Sequence, residues 1–178
     1  APISHGSCST MYPHLAVGAA NCFPLTRHFE PAKIFEAIER YRVTSSFMAP
    51  TMINLLTKSP ERTRYDLSSL KNIVYGGGPM YVEQLKEAMD AFGNVFVQSF
   101  GQAEAPMTIT TLPKAEHVTG DDPVKLKRLA SAGREPPSVR VRIVDEDDRP
   151  VPAGAMGEIV VGGDLVMRGY WNRPEATA

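Results

Sequence analysis

The 178-residue chain is short of cysteine, of tryptophan and of long apolar runs, and each shortage closes off a class of function. Cys8 and Cys22 are too few for a disulfide framework, and no His or Cys stands at zinc-finger spacing from either. They read as reduced, packed thiols, which makes the expected compartment cytoplasmic. No stretch approaches the roughly 20 apolar residues that span a bilayer, so no transmembrane segment is expected. Lys and Arg number 19 against 20 Asp and Glu, with no basic block. A nucleic-acid partner is therefore not expected. The amino terminus has no charged leader followed by an apolar core and no initiator Met, and the chain reads as cut from something longer. There is no internal repeat. What remains, 43% hydrophobic and 22% charged, has the balance of a globular protein.

Along the chain, strand and helix patterns alternate. Residues 17–25 read as a short buried strand. Ile34, Phe35, Ile38 and Tyr41 then recur at helical spacing behind Pro31. Residues 43–50 are strand-like up to Pro50, and a short helix follows with Thr51 as its N-cap. An apolar run ending at Tyr75 stops at three glycines. Val82, Leu85, Met89 and Phe92 return to helical period, and residues 94–100 form another strand. Such alternation predicts an α/β fold, a parallel sheet with crossover helices. Sheets of this kind bind ligands at the carboxyl ends of their strands. Residues 1–112 are read as this α/β portion and residues 113–130, polar and charged, as a surface loop. Residues 131–178 are read as a truncated antiparallel β portion. There Val139, Val141 and Ile143 share a face, and Asp147-Asp148-Arg149-Pro150 signals a turn. Asn172 and Pro174 read as the cap and first turn of a final helix.

The chemistry-bearing residues cluster at the predicted strand ends. Gly76-Gly77-Gly78-Pro79 follows a strand and precedes a helix. Consecutive glycines let backbone approach a flat or anionic ligand, and equally they serve a plain turn that needs positive φ. No Lys-Ser/Thr follows to make a phosphate loop of the Walker type. Glu104 closes Phe100-Gly101-Gln102-Ala103-Glu104 where the apolar pattern stops. By itself it reads first as a solvated loop glutamate, and second as a hard oxygen ligand of the kind magnesium takes singly or in pairs. Phe100 suits core packing or a stacking face. His5 reads as a hydrogen-bonded loop histidine or as a polar group in a substrate pocket. His14, His28 and His117 show no partner pattern.

In this order the motifs are familiar, and the chain resembles the acyl- and aryl-CoA synthetases of the adenylate-forming superfamily. "PISHGS", "YGGGPM", "FGQAEA" and "GEIVVGGDLVMRGYWNRPEAT" carry the resemblance, which covers a middle section of the family's architecture. It implies ATP-dependent activation of a carboxylic acid to an acyl-adenylate and thioester formation with CoA. Gly76, Gly77, Gly78 and Pro79 would face adenine, with Phe100 where a stacking Tyr usually stands and Gly101, Gln102 and Ala103 beside the nucleotide. Glu104 would bind Mg2+ bridging the ATP phosphates, and His5 would border the acyl pocket. Ala103 departs from the family's Thr and lacks its hydroxyl. Thr119-Gly120-Asp121 precedes the β portion, so its position rules it out as the family's ribose-binding Thr-Gly-Asp. The phosphate loop and the catalytic Lys find no match, so the isolated chain is expected to be inactive and, with sheet edges uncovered, to self-associate. A non-catalytic nucleotide-binding fragment and an acyl-AMP ligase without CoA transfer are the alternatives.

Overall fold

The computed structural model describes residues 3–26, 28–118, 120 and 122–177. Of Thr119-Gly120-Asp121, only Gly120 lies within them. Helix α1 (Gly6–Ala16) opens the chain, where the sequence pattern had suggested no element. Residues 17–25, expected as a buried strand, form no regular structure, and Val17, Phe23 and Leu25 are exposed. A strand needs a partner, and none among the described residues pairs with this stretch. Gly18 turns the chain at φ 76°, and Pro24 has no N–H to give to a ladder. Apolar composition there had stood in for burial.

The next elements follow the expected alternation. Helix α2 (Pro31–Tyr41) begins on Pro31, buries Phe35 and Ile38, and stops as Arg42 turns left-handed at φ 50°. Tyr41, expected on the same stripe, is instead exposed beneath the Arg40 guanidinium. Strand β1 (Ser45–Met48) leads into α3 (Pro50–Lys58). That helix starts two residues earlier than Thr51 capping would allow. Ala49 holds the cap position in extended conformation, and Pro50, with φ already set for a helix, takes the first turn. Strand β2 (Asn72–Tyr75), helix α4 (Val82–Phe92) and strand β3 (Phe96–Gln102) complete the crossovers.

Strand β4 (Ala105–Leu112) then returns antiparallel to β3. The sheet order is β1-β2-β3-β4, with the first three strands parallel. The sheet is thus mixed, and the fold is α/β with one antiparallel edge strand. On one face Met48, Ile73, Tyr75 and Phe96 are buried against apolar residues of α2, α3 and α4 in a single core. The other face, carrying Phe47, Val74 and Val97, is half-buried. Helix α1 packs there against β1 and β4. Gly6 makes that approach possible, since a Cβ on it would lie 2.4 Å from the Phe47 ring.

Residues 113–130, which read as surface loop, contain a 3-10 turn (Lys114–Glu116) and a short helix, α5 (Pro123–Leu129). Leu129 and His117 are both buried. Asp122 caps α5 by accepting the Val124 N–H. Past it, Arg134 exchanges two backbone hydrogen bonds with Thr111 and so continues the free edge of β4. Strands β5 (Arg140–Val144) and β6 (Glu158–Gly162) form the expected antiparallel pair. Its apolar face is uneven: Val139 is buried, Val141 half-buried and Ile143 exposed. The 145–149 turn is held by Asp145 Oδ1, which accepts from the Asp147 and Arg149 N–H groups. Helix α6 (Pro174–Thr177) starts on Pro174 as expected. Asn172 is not adjacent to it and adopts a left-handed φ of 54° rather than a cap conformation.

His117, which showed no partner pattern in the sequence, is a structural centre. Its Nδ1 lies 3.0 Å from the Pro113 carbonyl and its Nε2 3.0 Å from the Tyr75 hydroxyl. With Nδ1 donating to the carbonyl, the neutral ring is left with Nε2 free to accept from the Tyr75 hydroxyl. Burial pushes its pKa below the usual histidine value, and the Pro113 contact offsets this in part. A folded pKa below the unfolded value of about 6.5 means that the unfolded chain takes up the proton first, so stability is lost as pH falls through that range. We expect the denaturation midpoint to drop on acidification below about pH 6.5, with a flatter profile in His117→Gln. Tyr75→Phe leaves Nε2 buried and unpaired and should cost about 1–3 kcal/mol at neutral pH, measured by urea unfolding.

Candidate functional site

The parallel pairing ends in one row. Met48 pairs with Tyr75 and Tyr75 with Gln98; β1 and β2 stop there while β3 runs on to Gln102 beside β4, so the residues after each lie at one end of the sheet. Those residues are Ala49-Pro50, then Gly76-Gly77-Gly78-Pro79, then the run from Ser99 to Glu104. The three glycines of the turn differ in what the fold asks of them. Gly76 is buried, and a Cβ on it would stand 2.2 Å from the Ser99 carbonyl oxygen. Gly77 has φ 76°. Gly78 meets neither demand: nothing approaches its would-be Cβ closer than Pro50 Cδ at 3.9 Å, and it is exposed together with Gly77 and Pro79. The fold therefore accounts for two of the glycines and leaves an open backbone surface at the third.

The Phe100–Glu104 stretch is not a strand running into a loop, as its pattern suggested, but one arm and the tip of a hairpin. Gln102 pairs with Ala105, which leaves Ala103 and Glu104 as a two-residue turn. The ladder is irregular just below, because Phe100 pairs with Thr110. The surplus residues on β4 bulge, with Met107 at φ 58° and its carbonyl accepting from the Ser99 hydroxyl. Bulges of this sort re-aim side chains at sheet edges. Gly101 faces the bulge, and a Cβ there would lie 2.5 Å from Met107 N. Phe100 is half-buried and Gln102 and Ala103 are exposed.

Glu104 is not merely solvated. Its side-chain Oε1 accepts a hydrogen bond from the Tyr170 hydroxyl, and its main-chain carbonyl accepts from Met167 N at 2.8 Å. The Tyr170 bond, followed by the Glu104 backbone N–H, holds the carboxyl below the usual carboxylate range, against a small opposing effect of burial. The same bond raises the Tyr170 phenol. Glu104 is thus ionised at neutral pH and directed by a residue 66 positions away. Sequence reasoning missed Tyr170, although the Gly-Tyr of the last motif was the available signal.

His5 lies elsewhere on the same end of the molecule. It occupies the cap position of α1 without capping it through its side chain, and it is exposed with Nδ1 2.9 Å from Ser4 Oγ. The Gly6–Phe47 contact anchors it beside the carboxyl half of β1. Among the described residues no group of three or more His, Cys, Asp or Glu side chains gathers as a metal site. No helix among them is long and apolar enough to cross a membrane.

Known proteins share this chain's sequence and fold. The AMP-binding enzyme family matches residues 1–171, and the chain belongs to that family. It is 38% identical over 177 residues to the medium/long-chain-fatty-acid–CoA ligase FadD8 of Mycobacterium tuberculosis, covering 99% of this chain and 29% of that protein. To a feruloyl-CoA synthase of Amycolatopsis it is 39% identical over 150 residues, 84% of this chain and 29% of the relative. The chain thus spans less than a third of these relatives' length. Among solved structures it superposes on the amide bond synthetase McbA of Marinactinospora thermotolerans with a TM-score of 0.77 and 37% identity, over 85% of this chain and 29% of that one. On the N-terminal domain of FACL13 from M. tuberculosis the TM-score is 0.80 at 26% identity, over 99% of this chain and 42% of that one.

The unequal demands on the glycines can be measured. Gly76→Ala forces its Cβ into the Ser99 backbone and should destabilise the protein by roughly 1–3 kcal/mol, the scale of overpacking. Gly78→Ala should melt within a degree or two of the parent. Thermal unfolding of the two variants side by side is the check, and equal losses would contradict the assignment.

Proposed function

We propose that the protein containing this chain is an ATP-dependent acid–thiol ligase that converts a carboxylic acid, ATP and CoA to acyl-CoA, AMP and pyrophosphate. The observation that carries the reading is Glu104: an ionised carboxylate, aimed by Tyr170, on a hairpin tip at the strand ends of an AMP-binding enzyme fold. The CoA ligase names of several relatives support the thioester-forming half.

In this reading the acid's carboxylate oxygen attacks the α-phosphorus of ATP and pyrophosphate leaves, giving an acyl-adenylate. The thiol sulfur then attacks the acyl carbon and AMP leaves. Gly76, Gly77, Gly78 and Pro79 offer backbone to the adenine ring, with Gly78 the position where the missing Cβ serves the ligand rather than the fold. Phe100 supplies an apolar ring face, and Gly101 and Gln102 border the nucleotide. Ala103 contributes no hydroxyl, so phosphate contact at this point of the hairpin rests on backbone. His5, on the lip of α1, borders the acid and the path of the thiol.

The residues present fit magnesium. A lone ionised carboxylate suits an ion that takes one or two protein carboxylates and completes its octahedron with phosphate oxygens and water. Glu104 would hold it, and the bound ion would neutralise charge building on the pyrophosphate. A second reading differs only in the acceptor. One relative is a fatty acid–[acyl-carrier-protein] ligase and one structural neighbour an amide bond synthetase, so similar proteins bear names with acceptors other than CoA. Product analysis with CoA as the offered acceptor separates the two.

In the complete enzyme, Glu104→Gln keeps the shape and a Tyr170 acceptor but removes the charge. Acid-dependent pyrophosphate exchange should fall by roughly two orders of magnitude, the scale of losing one preorganised electrostatic group, while thermal melting is unchanged. An unaltered rate at limiting magnesium would return Glu104 to the status of a loop residue.

A further inference from the structure

We propose that Tyr170 is a positioning residue for Glu104, held in place by Thr177, and that this is the physical work of the Gly-Tyr…Thr spacing near the carboxyl end of the chain. The inference rests on the reading of Glu104 given above. It starts from the exposed hairpin tip. A glutamate in a two-residue turn has several freely populated rotamers, and fixing such a side chain works against its conformational entropy. Here both ends of the residue are fastened from one segment, the carbonyl by Met167 N and the carboxylate by the Tyr170 hydroxyl.

The fastening segment is itself braced. Thr177 Oγ1 accepts the Tyr170 N–H at 3.0 Å and donates to the Arg173 carbonyl at 3.0 Å. Gly169, at φ 148°, lies against the Thr177 side chain, where a Cβ would stand 2.5 Å from Thr177 Cγ2. A hydroxyl seven residues after Tyr170 thus closes a loop on the tyrosine's own backbone, and the absence of a side chain at position 169 lets it close. The closed loop presents the phenol to the hairpin. Tyr170 does not itself meet the nucleotide in this scheme. It acts by presenting Glu104 already oriented, so that ion binding need not order the side chain.

The test uses the complete enzyme and four variants, Tyr170→Phe, Thr177→Val, Glu104→Gln and the Tyr170→Phe/Glu104→Gln pair. Tyr170→Phe removes one oxygen and keeps the ring, and its melting temperature should stay close to the parent's. Its magnesium concentration for half-maximal pyrophosphate exchange should rise roughly five- to tenfold, with a smaller change in the rate at saturating magnesium. Thr177→Val should shift the same quantity in the same direction. In the Glu104→Gln background Tyr170→Phe should add nothing, because a residue that works through another shows no effect once that other is gone. Without any ligand, hydrogen exchange followed by mass spectrometry should speed up at residues 101–107 in Tyr170→Phe. A Tyr170→Phe enzyme with unchanged magnesium dependence, or one that loses the same factor with and without Glu104, overturns the proposal while leaving Glu104 as the metal ligand. If Glu104→Gln keeps full activity, both readings fall together.

Discussion

The parallel pairing of β2 with β3, with Tyr75 opposite Gln98, is the constraint on which the rest of the molecule depends. It is drawn tight just past the paired residues, where Gly76 lies under the Ser99 carbonyl with no room for a side chain. A side chain at position 76 would press on the Ser99 backbone at the point where β2 turns away from the sheet and β3 runs on beside β4. Beneath the pairing, Tyr75 and Phe96 meet edge to face at 6.2 Å between ring centres, and the His117 ring closes on Tyr75 from the other side at 5.7 Å. The register is thus secured by packing as well as by hydrogen bonds. The glycine turn and the Glu104 hairpin inherit their relation from it.

A parallel pair also explains why β4 matters. Parallel strands reach one another through crossover helices, and their carboxyl ends open into loops. By reversing after a two-residue turn, β4 converts the last of these loops into a hairpin, whose backbone is held on both sides. The bulge at Met107 then bends the tip away from a regular ladder. Rigid support and an exposed tip are what a charged group needs if it is to face a ligand without reorganising when the ligand arrives. The same hairpin exposes the edge of β4, and the Thr111–Arg134 bridge covers part of it.

The periodic helices and the three parallel strands were legible in the sequence because their burial is local and repetitive. Phe35 and Ile38, Leu85 and Met89, Ile73 and Tyr75 each announce a buried face within a few residues. What escaped was everything set by partners distant in the chain. Residues 17–25 are as apolar as a strand but pair with no strand among the described residues. The Thr-rich run of β4 follows a motif that predicts a loop, and its pairing partner is β3 rather than anything within the run. His117 sits in a polar stretch, and the Tyr75 hydroxyl that its Nε2 meets belongs to a residue 42 positions earlier. At the site, the glycines, Phe100 and Glu104 could be picked out by type and order. That Gly76 serves the fold while Gly78 is free of it depends on one carbonyl and one proline ring, which no spacing encodes.

The distribution of these long-range contacts has a consequence for how the two sheets are coupled. The larger sheet has a deep core of its own, but the tip that carries Glu104 is steadied by Met167 and Tyr170, beyond the small β5–β6 sheet. That sheet buries little: β5 contributes Val144 and, beside it, Val139, while Ile159 and Ile143 stay largely exposed. Regions with few buried contacts open locally at lower free energy than the core around them. The order of the hairpin tip therefore depends also on a segment outside the sheet that bears it. A substitution near β6 that leaves the main core untouched can loosen Glu104 without changing global stability, and the carboxylate's aim is the property most exposed to such a change.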